Sequence, residues 1–248
     1  SVNNGAKLAV DEINAAGGVN GFTFELNFQD SKGDPDSAVA AYGMLMDAGM
    51  NVSLGTVLSG EMASVAAAGV EDGILMLSPS ASAKDSIGSN NAAFRVCFND
   101  PQQGTVSADF ISTHKLATKV AVFYQSDLDY SNGLYETFEA ECKAKGIEIT
   151  TVETFTNTTN TDFSSQINKI KSSGAEMVFI QIYAAEASTF LTQAYGKLDG
   201  MTFFGCDGLD GILTKVSDAK YAENVMMLTP FSADDTSENV KSFVSAYK

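Results

Sequence analysis

The chain has 248 residues, with 15 Lys+Arg against 31 Asp+Glu, a formal charge of −16. That charge opposes the counterion release on which nucleic-acid binding depends, and it disfavours an anionic membrane surface. A hydrophobic share of 44% is too high for a disordered acidic chain and allows one large domain or two lobes.

Cys97, Cys142 and Cys206 form no CxxC pair, so neither a disulfide framework nor a metal site is expected. No apolar run is long enough to span a bilayer. Ser1 opens directly in helix-like sequence, so a targeting segment is not expected within this chain.

In chain order, residues 4–16 carry apolar positions at helical spacing and stop at Gly17-Gly18. Residues 22–28 (FTFELNF) alternate with period two and predict a strand. Asp34-Pro35 predicts a helix start, Asp34 as cap and Pro35 in the first turn, with the helix running to about residue 48. Further strands are expected at 51–54, 74–77, 93–97, 119–124, 147–155, 176–181, 202–205 and 223–228. Helices are expected at 60–72, 102–115, 131–145, 163–173, 184–197, 210–217 and 236–247. Continuously apolar strands such as Val120–Phe123 and Met177–Ile180 suit parallel sheets covered on both faces. The strand–helix alternation predicts open α/β sheets. Pro101 and Pro230 bracket a self-sufficient βα series, consistent with two lobes; a single continuous sheet is the alternative reading.

In such sheets ligands bind beyond the carboxyl ends of strands. After strand 51–54 comes Gly55–Glu61, where Ser59 can cap the next helix, or help it hold an anion. After 74–77 comes the hydroxyl-rich turn Ser78-Pro79-Ser80-Ala81-Ser82, either a ligand-binding turn or a solvated loop. Tyr130 and Tyr183 follow strands 119–124 and 176–181, and each reads equally as a lid aromatic or a packing residue. Asp207, with Gly208 beside it, can receive an ammonium or simply form a turn. His114, the one histidine, lies at a predicted helix end and suits the helix dipole better than catalysis. No GxGxxG, GxxxxGK[ST] or GxSxG motif occurs, so no nucleotide fingerprint or nucleophile elbow is present.

Five segments resemble the branched-chain amino-acid-binding proteins, type I periplasmic-binding-fold receptors of ABC importers: Gly5–Gly21, Asp30–Pro35, Gly73–Ser82, Phe94–Gly104 and Asp162-Phe-Ser. They fall in family order and span nearly the whole chain. The resemblance implies an α/β, two-lobed type I periplasmic-binding fold with the ligand in the cleft. Lobe one would comprise 1–98, lobe two 99–229, and 230–248 would return to lobe one. The family's first strand would precede residue 1, and further lobe-one structure would follow Lys248, so both ends of the chain are expected to be truncated.

By the same resemblance, Ser59 and Ser82 match positions that bind the ligand carboxylate. Ser80 matches the position whose carbonyl accepts from the ammonium, Tyr130 and Tyr183 match lobe-two tyrosines, and Asp207 matches the ammonium-binding acid, often Glu in the family. The implied function is an extracytoplasmic receptor for an α-amino acid, aliphatic given Val57 and Leu58, delivering it to ABC permease subunits. It would be a monomer, periplasmic or lipid-anchored, with no enzyme activity, cofactor or metal. Another small solute, or a role as a sensing ectodomain, are the alternatives.

Overall fold

The computed structural model describes residues 2–248 and contains two separate parallel sheets. The single-sheet alternative is thereby removed. The smaller sheet has the order β1-β2-β3, from Val52–Leu54, Leu75–Ser78 and Ala93–Arg95. The larger follows the order β5-β4-β6-β7-β8, from Lys119–Gln125 (β4), Glu148–Phe155 (β5), Met177–Gln181 (β6), Thr202–Gly205 (β7) and Val225–Met227 (β8). Every strand pair in both is parallel.

The reason β6 reads as an unbroken apolar run is now visible. It lies between β4 and β7, and all of Met177–Gln181 is buried. Alternate residues feed two cores. Val178 and Ile180 join Phe123, Phe163 and Phe190 on one face, while Met177 and Phe179 join Leu134, Phe138 and Phe204 on the other. Stacked rings occur on both sides, Phe123–Phe190 at 4.2 Å and Phe138–Phe179 at 3.9 Å between centroids.

The helices are α1 (Val2–Ala15), α2 (Pro35–Asp47), α3 (Ser59–Ala68), α4 (Asp100–Thr113), α5 (Asp129–Lys145), α6 (Ser164–Ser172), α7 (Ala184–Ala194) and α8 (Glu238–Tyr247). Asp34 caps α2 as the sequence predicts, its Oδ1 accepting from the Ser37 amide at 2.8 Å. A reciprocal capping box starts α4: Asn99 Oδ1 accepts from Gln102 N at 2.9 Å, and Gln102 Oε1 from Asn99 N at 3.2 Å. With Pro101 in the first turn, this sets the direction of α4 as it crosses from the small sheet to the large one. His114 is the C-cap of α4, as its position suggested.

Helix α4 runs tight against α5. A Cβ on Gly104 would sit 2.6 Å from the Leu134 carbonyl oxygen, so only glycine permits this approach. In the small sheet, Met76 and Ala93 face inward with Tyr42, Met62 and Val65 of α2 and α3. Val52, Leu54, Leu75 and Phe94 point to the exposed side.

Two expectations fail. Residues 22–28 form no strand; only an isolated bridge joins Val19 and Phe22, and Phe22 is 78% exposed. An alternating pattern specifies which side chains share a face, but a strand also needs a neighbour for its backbone groups, and no described strand runs alongside. Residues 210–217 form no α-helix either. Three short 3₁₀ turns, Asp207–Leu209, Ile212–Thr214 and Ala219–Ala222, replace it. Gly211, at φ +78°, breaks the helical path between the first two.

Candidate functional site

The residues singled out after the strands gather in two groups. The first belongs to the loops following β1 and β2. The Ser78 hydroxyl donates to Thr56 O at 2.6 Å and accepts from Ala81 N at 3.0 Å. Ser80 Oγ donates to Val57 O at 3.0 Å. Ser59 Oγ accepts from the Ala83 amide at 3.0 Å. These bonds lace the two loops into one unit.

Ser59 does not cap α3, contrary to one reading of the sequence. Leu58 occupies the cap position and supplies no side-chain bond. Ser59 is the first helical residue, and its oxygen faces the other loop. Two consequences follow. The first amides of α3 have no side-chain acceptor, and they carry the positive end of the helix dipole. The hydrogen of the Ser59 hydroxyl is also uncommitted among the described residues, since Ser59 appears there only as an acceptor.

Arg95, not singled out from the sequence, holds the second loop in shape. Its Nη1 donates to Ala81 O at 3.0 Å and Ala83 O at 2.6 Å, and its Nη2 to Lys84 O at 2.9 Å. Ser82 lies inside this loop, buried.

The second group lies beyond the carboxyl ends of β4, β6 and β7. Asp207 opens the turn after β7. Its Oδ1 accepts from Tyr130 Oη at 3.0 Å and from Gln103 Nε2 at 2.8 Å. Both of its side-chain donors thus fall on one oxygen. Tyr130 also accepts from Gly208 N at 2.9 Å. The phenol is 2% exposed, so Tyr130 stands behind the carboxylate as a brace. Tyr183 stacks on it, with centroids 5.0 Å apart and planes 14° off parallel. A Cβ on Gly208 would lie 2.6 Å from Tyr130 Oη and 2.9 Å from Ile182 O, so this turn needs glycine for close approach.

Burial raises the Asp207 carboxyl, while the bonds from Gln103 and Tyr130 pull it back toward the ionised form. Burial, with Asp207 adding to it, pushes the Tyr130 phenol well above its ordinary value. Tyr130 therefore stays a neutral donor.

Helix α4 joins the two groups. The Asp100 amide donates to Ser82 O at 2.9 Å, and Gln103, one turn on, grips Asp207. Helix α3 of the first group also touches α5, which carries Tyr130. Ser59, Ser80 and Ser82 thus belong to one loop group, and Tyr130, Tyr183 and Asp207 to another. Gln103 lies within α4, where a strand-end search does not look, while Asp100 opens that helix a few residues past β3 and reads there as an ordinary first-turn acid. The Asn99-Asp100-Pro101 start was the one available signal.

Among the described residues no group of three or more His, Cys, Asp or Glu side chains converges on a point. The cysteines are unpaired, with Cys142 and Cys206 buried. No described helix is long and apolar enough to cross a membrane.

The two groups thus combine loops from parallel strand ends, a helix start without a side-chain cap and a carboxylate held by Tyr130 and Gln103. The chain belongs to the periplasmic binding protein family, whose profile matches residues 1–248. It is 33% identical over 210 residues to a Leu/Ile/Val-binding protein homolog 3 of Brucella melitensis, covering 84% of this chain and 56% of that protein. It is 27% identical over 245 residues to a leucine-, isoleucine-, valine-, threonine- and alanine-binding protein of Pseudomonas aeruginosa, covering 98% of this chain and 65% of that protein.

Among solved structures it is similar to the branched-chain amino-acid transporter substrate-binding protein LivJ of Streptococcus pneumoniae in complex with isoleucine. That match has a TM-score of 0.90 at 28% identity and covers 99% of this chain and 70% of the other. The leucine-binding protein LivK of Thermotoga maritima matches with a TM-score of 0.90 at 25% identity, covering 99% and 69%. The chain thus spans between about half and two thirds of the length of the curated relatives it matches.

Proposed function

We propose that this chain is the ligand-binding part of an extracytoplasmic receptor that captures an α-amino acid with an aliphatic side chain and passes it to the permease of an ABC importer. The ligand carboxylate would lie at the uncapped start of α3, against the free Ser59 hydrogen and the Ser80–Ser82 loop. The ammonium would meet Oδ2 of Asp207, with Tyr183 beside it and Tyr130 behind. Val57 and Leu58 would line the side-chain end of the cleft.

The observation that carries this reading is the complementary pair of vacant valences. A helix start has no side-chain acceptor for its amides. A largely buried carboxylate has both of its side-chain donors on one oxygen. The two belong to walls joined through Ser82, Asp100 and Gln103. A zwitterion satisfies both ends at once. Relatives that bind leucine, isoleucine and valine support the choice of side chain.

The reading includes lobe one at 1–98, lobe two at 99–229 and a return to lobe one at 230–248. Closure of the lobes around the ligand would signal occupancy to the permease. The receptor would work as a monomer outside the cytoplasm, in a periplasm or lipid-anchored on an outer membrane face, without nucleic acid and without catalysing a reaction. Isothermal titration of the full-length protein with the twenty L-amino acids tests the reading. Leucine, isoleucine and valine are expected to bind; silence across the aliphatic and small polar members would overturn it.

A further inference from the structure

We propose that Asp100 and Gln103 complete the ammonium end of the cleft: Gln103 is a positioning residue that holds Asp207 in its receiving orientation, and Asp100 is a second carboxyl that releases its proton when a cationic headgroup arrives. This inference rests on the reading that Asp207 receives the ligand ammonium.

The geometry is specific. Gln103 is buried, and its amide nitrogen serves two acids, donating to Asp207 Oδ1 at 2.8 Å and to Asp100 Oδ1 at 3.2 Å. Its Oε1 accepts from the Asp207 amide at 3.2 Å. A flipped amide would set an oxygen against two carboxylates, so these contacts define one rotamer. Through that rotamer Asp207 Oδ1 is occupied, and Oδ2 carries no side-chain donor.

Asp100 is fully buried, and its Oδ2 has no hydrogen-bond partner among the described residues. A charged carboxylate with one bare oxygen in such a place is costly, whereas a neutral carboxyl is tolerated. Two acids sharing one donor nitrogen also resist carrying two charges together. Burial, with Asp207 adding to it, pushes Asp100 up to about 7, while the neighbouring Ser82 hydroxyl, Gln103 and the charge of Arg95 oppose the rise.

The titratable groups in electrostatic reach of Asp100 are Arg95 and Cys97 on the lobe-one side, and Tyr130, Tyr183, Cys206 and Asp207 on the other. Arg95 alone is a cation, and it is committed to backbone carbonyls. The positive charge that stabilises an ionised Asp100 must therefore come with the ligand. The balance is simple: the carboxyl becomes a carboxylate, its proton leaves to solvent, and an ammonium takes up the compensating role.

The experiment is calorimetric titration of the full-length protein near neutral pH, in two buffers of different ionisation enthalpy. The probe is the tightest-binding L-amino acid of the panel above, L-leucine being tried first. The wild type is expected to release a fraction of a proton on binding, and Asp100→Asn to release much less. Gln103→Leu should weaken binding by about 10–100-fold, the scale on which outer partners of metal-binding groups act. Should that variant fail to fold, isosteric Gln103→Glu serves. It should bind weakly at neutral pH and recover as the pH falls and its carboxyl regains a donor hydrogen.

Unchanged proton release in Asp100→Asn, or wild-type affinity with a wild-type pH profile in the Gln103 variants, overturns the inference. Asp207→Asn separates the two levels. If it abolishes binding while the α4 variants behave as wild type, only the present inference fails. If it leaves affinity intact, the ammonium reading fails with it.

Discussion

Replacing Tyr130 by Phe removes one oxygen from a site where two polar groups depend on it. The phenol donates to Asp207 Oδ1 at 3.0 Å and accepts from Gly208 N at 2.9 Å. At 2% exposure, water cannot easily take its place. The orphaned Gly208 amide costs about 1–3 kcal/mol, and the lost bond to a carboxylate is worth about 1.5–3 kcal/mol. Asp207 retains its bond from Gln103, so the two do not add in full. A loss of about 2–4 kcal/mol is expected, equivalent to a fall in Tm of roughly 4–16 °C at 2–4 °C per kcal/mol for a unit of this size. The ring itself is kept, so the stack on Tyr183 should survive. Amino-acid affinity should fall as well, because Asp207 loses a bond that favours its ionised form. Thermal unfolding followed by circular dichroism gives the first quantity, and calorimetric titration the second. A variant within about 0.5 kcal/mol of wild type, the range of an ordinary surface substitution, would refute the claim that Tyr130 braces Asp207.

Three further outcomes are expected. Arg95→Lys should destabilise by about 2–3 kcal/mol in urea titration, because one ammonium cannot span the carbonyls of Ala81, Ala83 and Lys84 as a guanidinium fork does; an unchanged midpoint and slope would count against this role. Gly208→Ala should cost about 1–3 kcal/mol and weaken ligand binding, since its Cβ would press on Tyr130 Oη, with a wild-type thermal transition as the contrary result. The ligand-free protein should also lose stability as pH rises from about 4 toward 7. Asp100 is raised from 3.8 to about 7 on folding, so the folded state holds the proton more tightly than the unfolded state across that window. Stability from this group is then complete below the unfolded value and is lost as pH climbs through the folded one. Tm measured across that range in wild type and Asp100→Asn checks it, the variant showing the flatter profile; parallel profiles would rule Asp100 out as the source.

The local signals in the sequence were those that depend on neighbours along the chain. Asp34-Pro35 announced the start of α2, and the apolar runs of β4 and β6 announced strands covered on both faces, because burial on two sides leaves no polar positions to alternate. Positions just beyond strand ends are legible in the same way, and Ser59, Ser80, Ser82, Tyr130, Tyr183 and Asp207 all occupy such positions. What each of these does there could not be read. Ser59 had the residue type of a cap but bonds Ala83, twenty-four positions away. Residues 22–28 had the period of a strand, but a ladder needs a partner, and the period is silent on whether one is adjacent. Residues 210–217 looked helical until the backbone turned at Gly211.

The α/β alternation and the candidate site residues were therefore legible in the sequence, since the apolar pattern of a strand and the chemistry of a side chain are local properties. The tertiary structure decided which oxygen of Asp207 is free, which helix start is uncapped, and that Gln103 links two acids. Those depend on contacts between residues about a hundred positions apart, such as Gln103 with Asp207, and no short-range pattern encodes them.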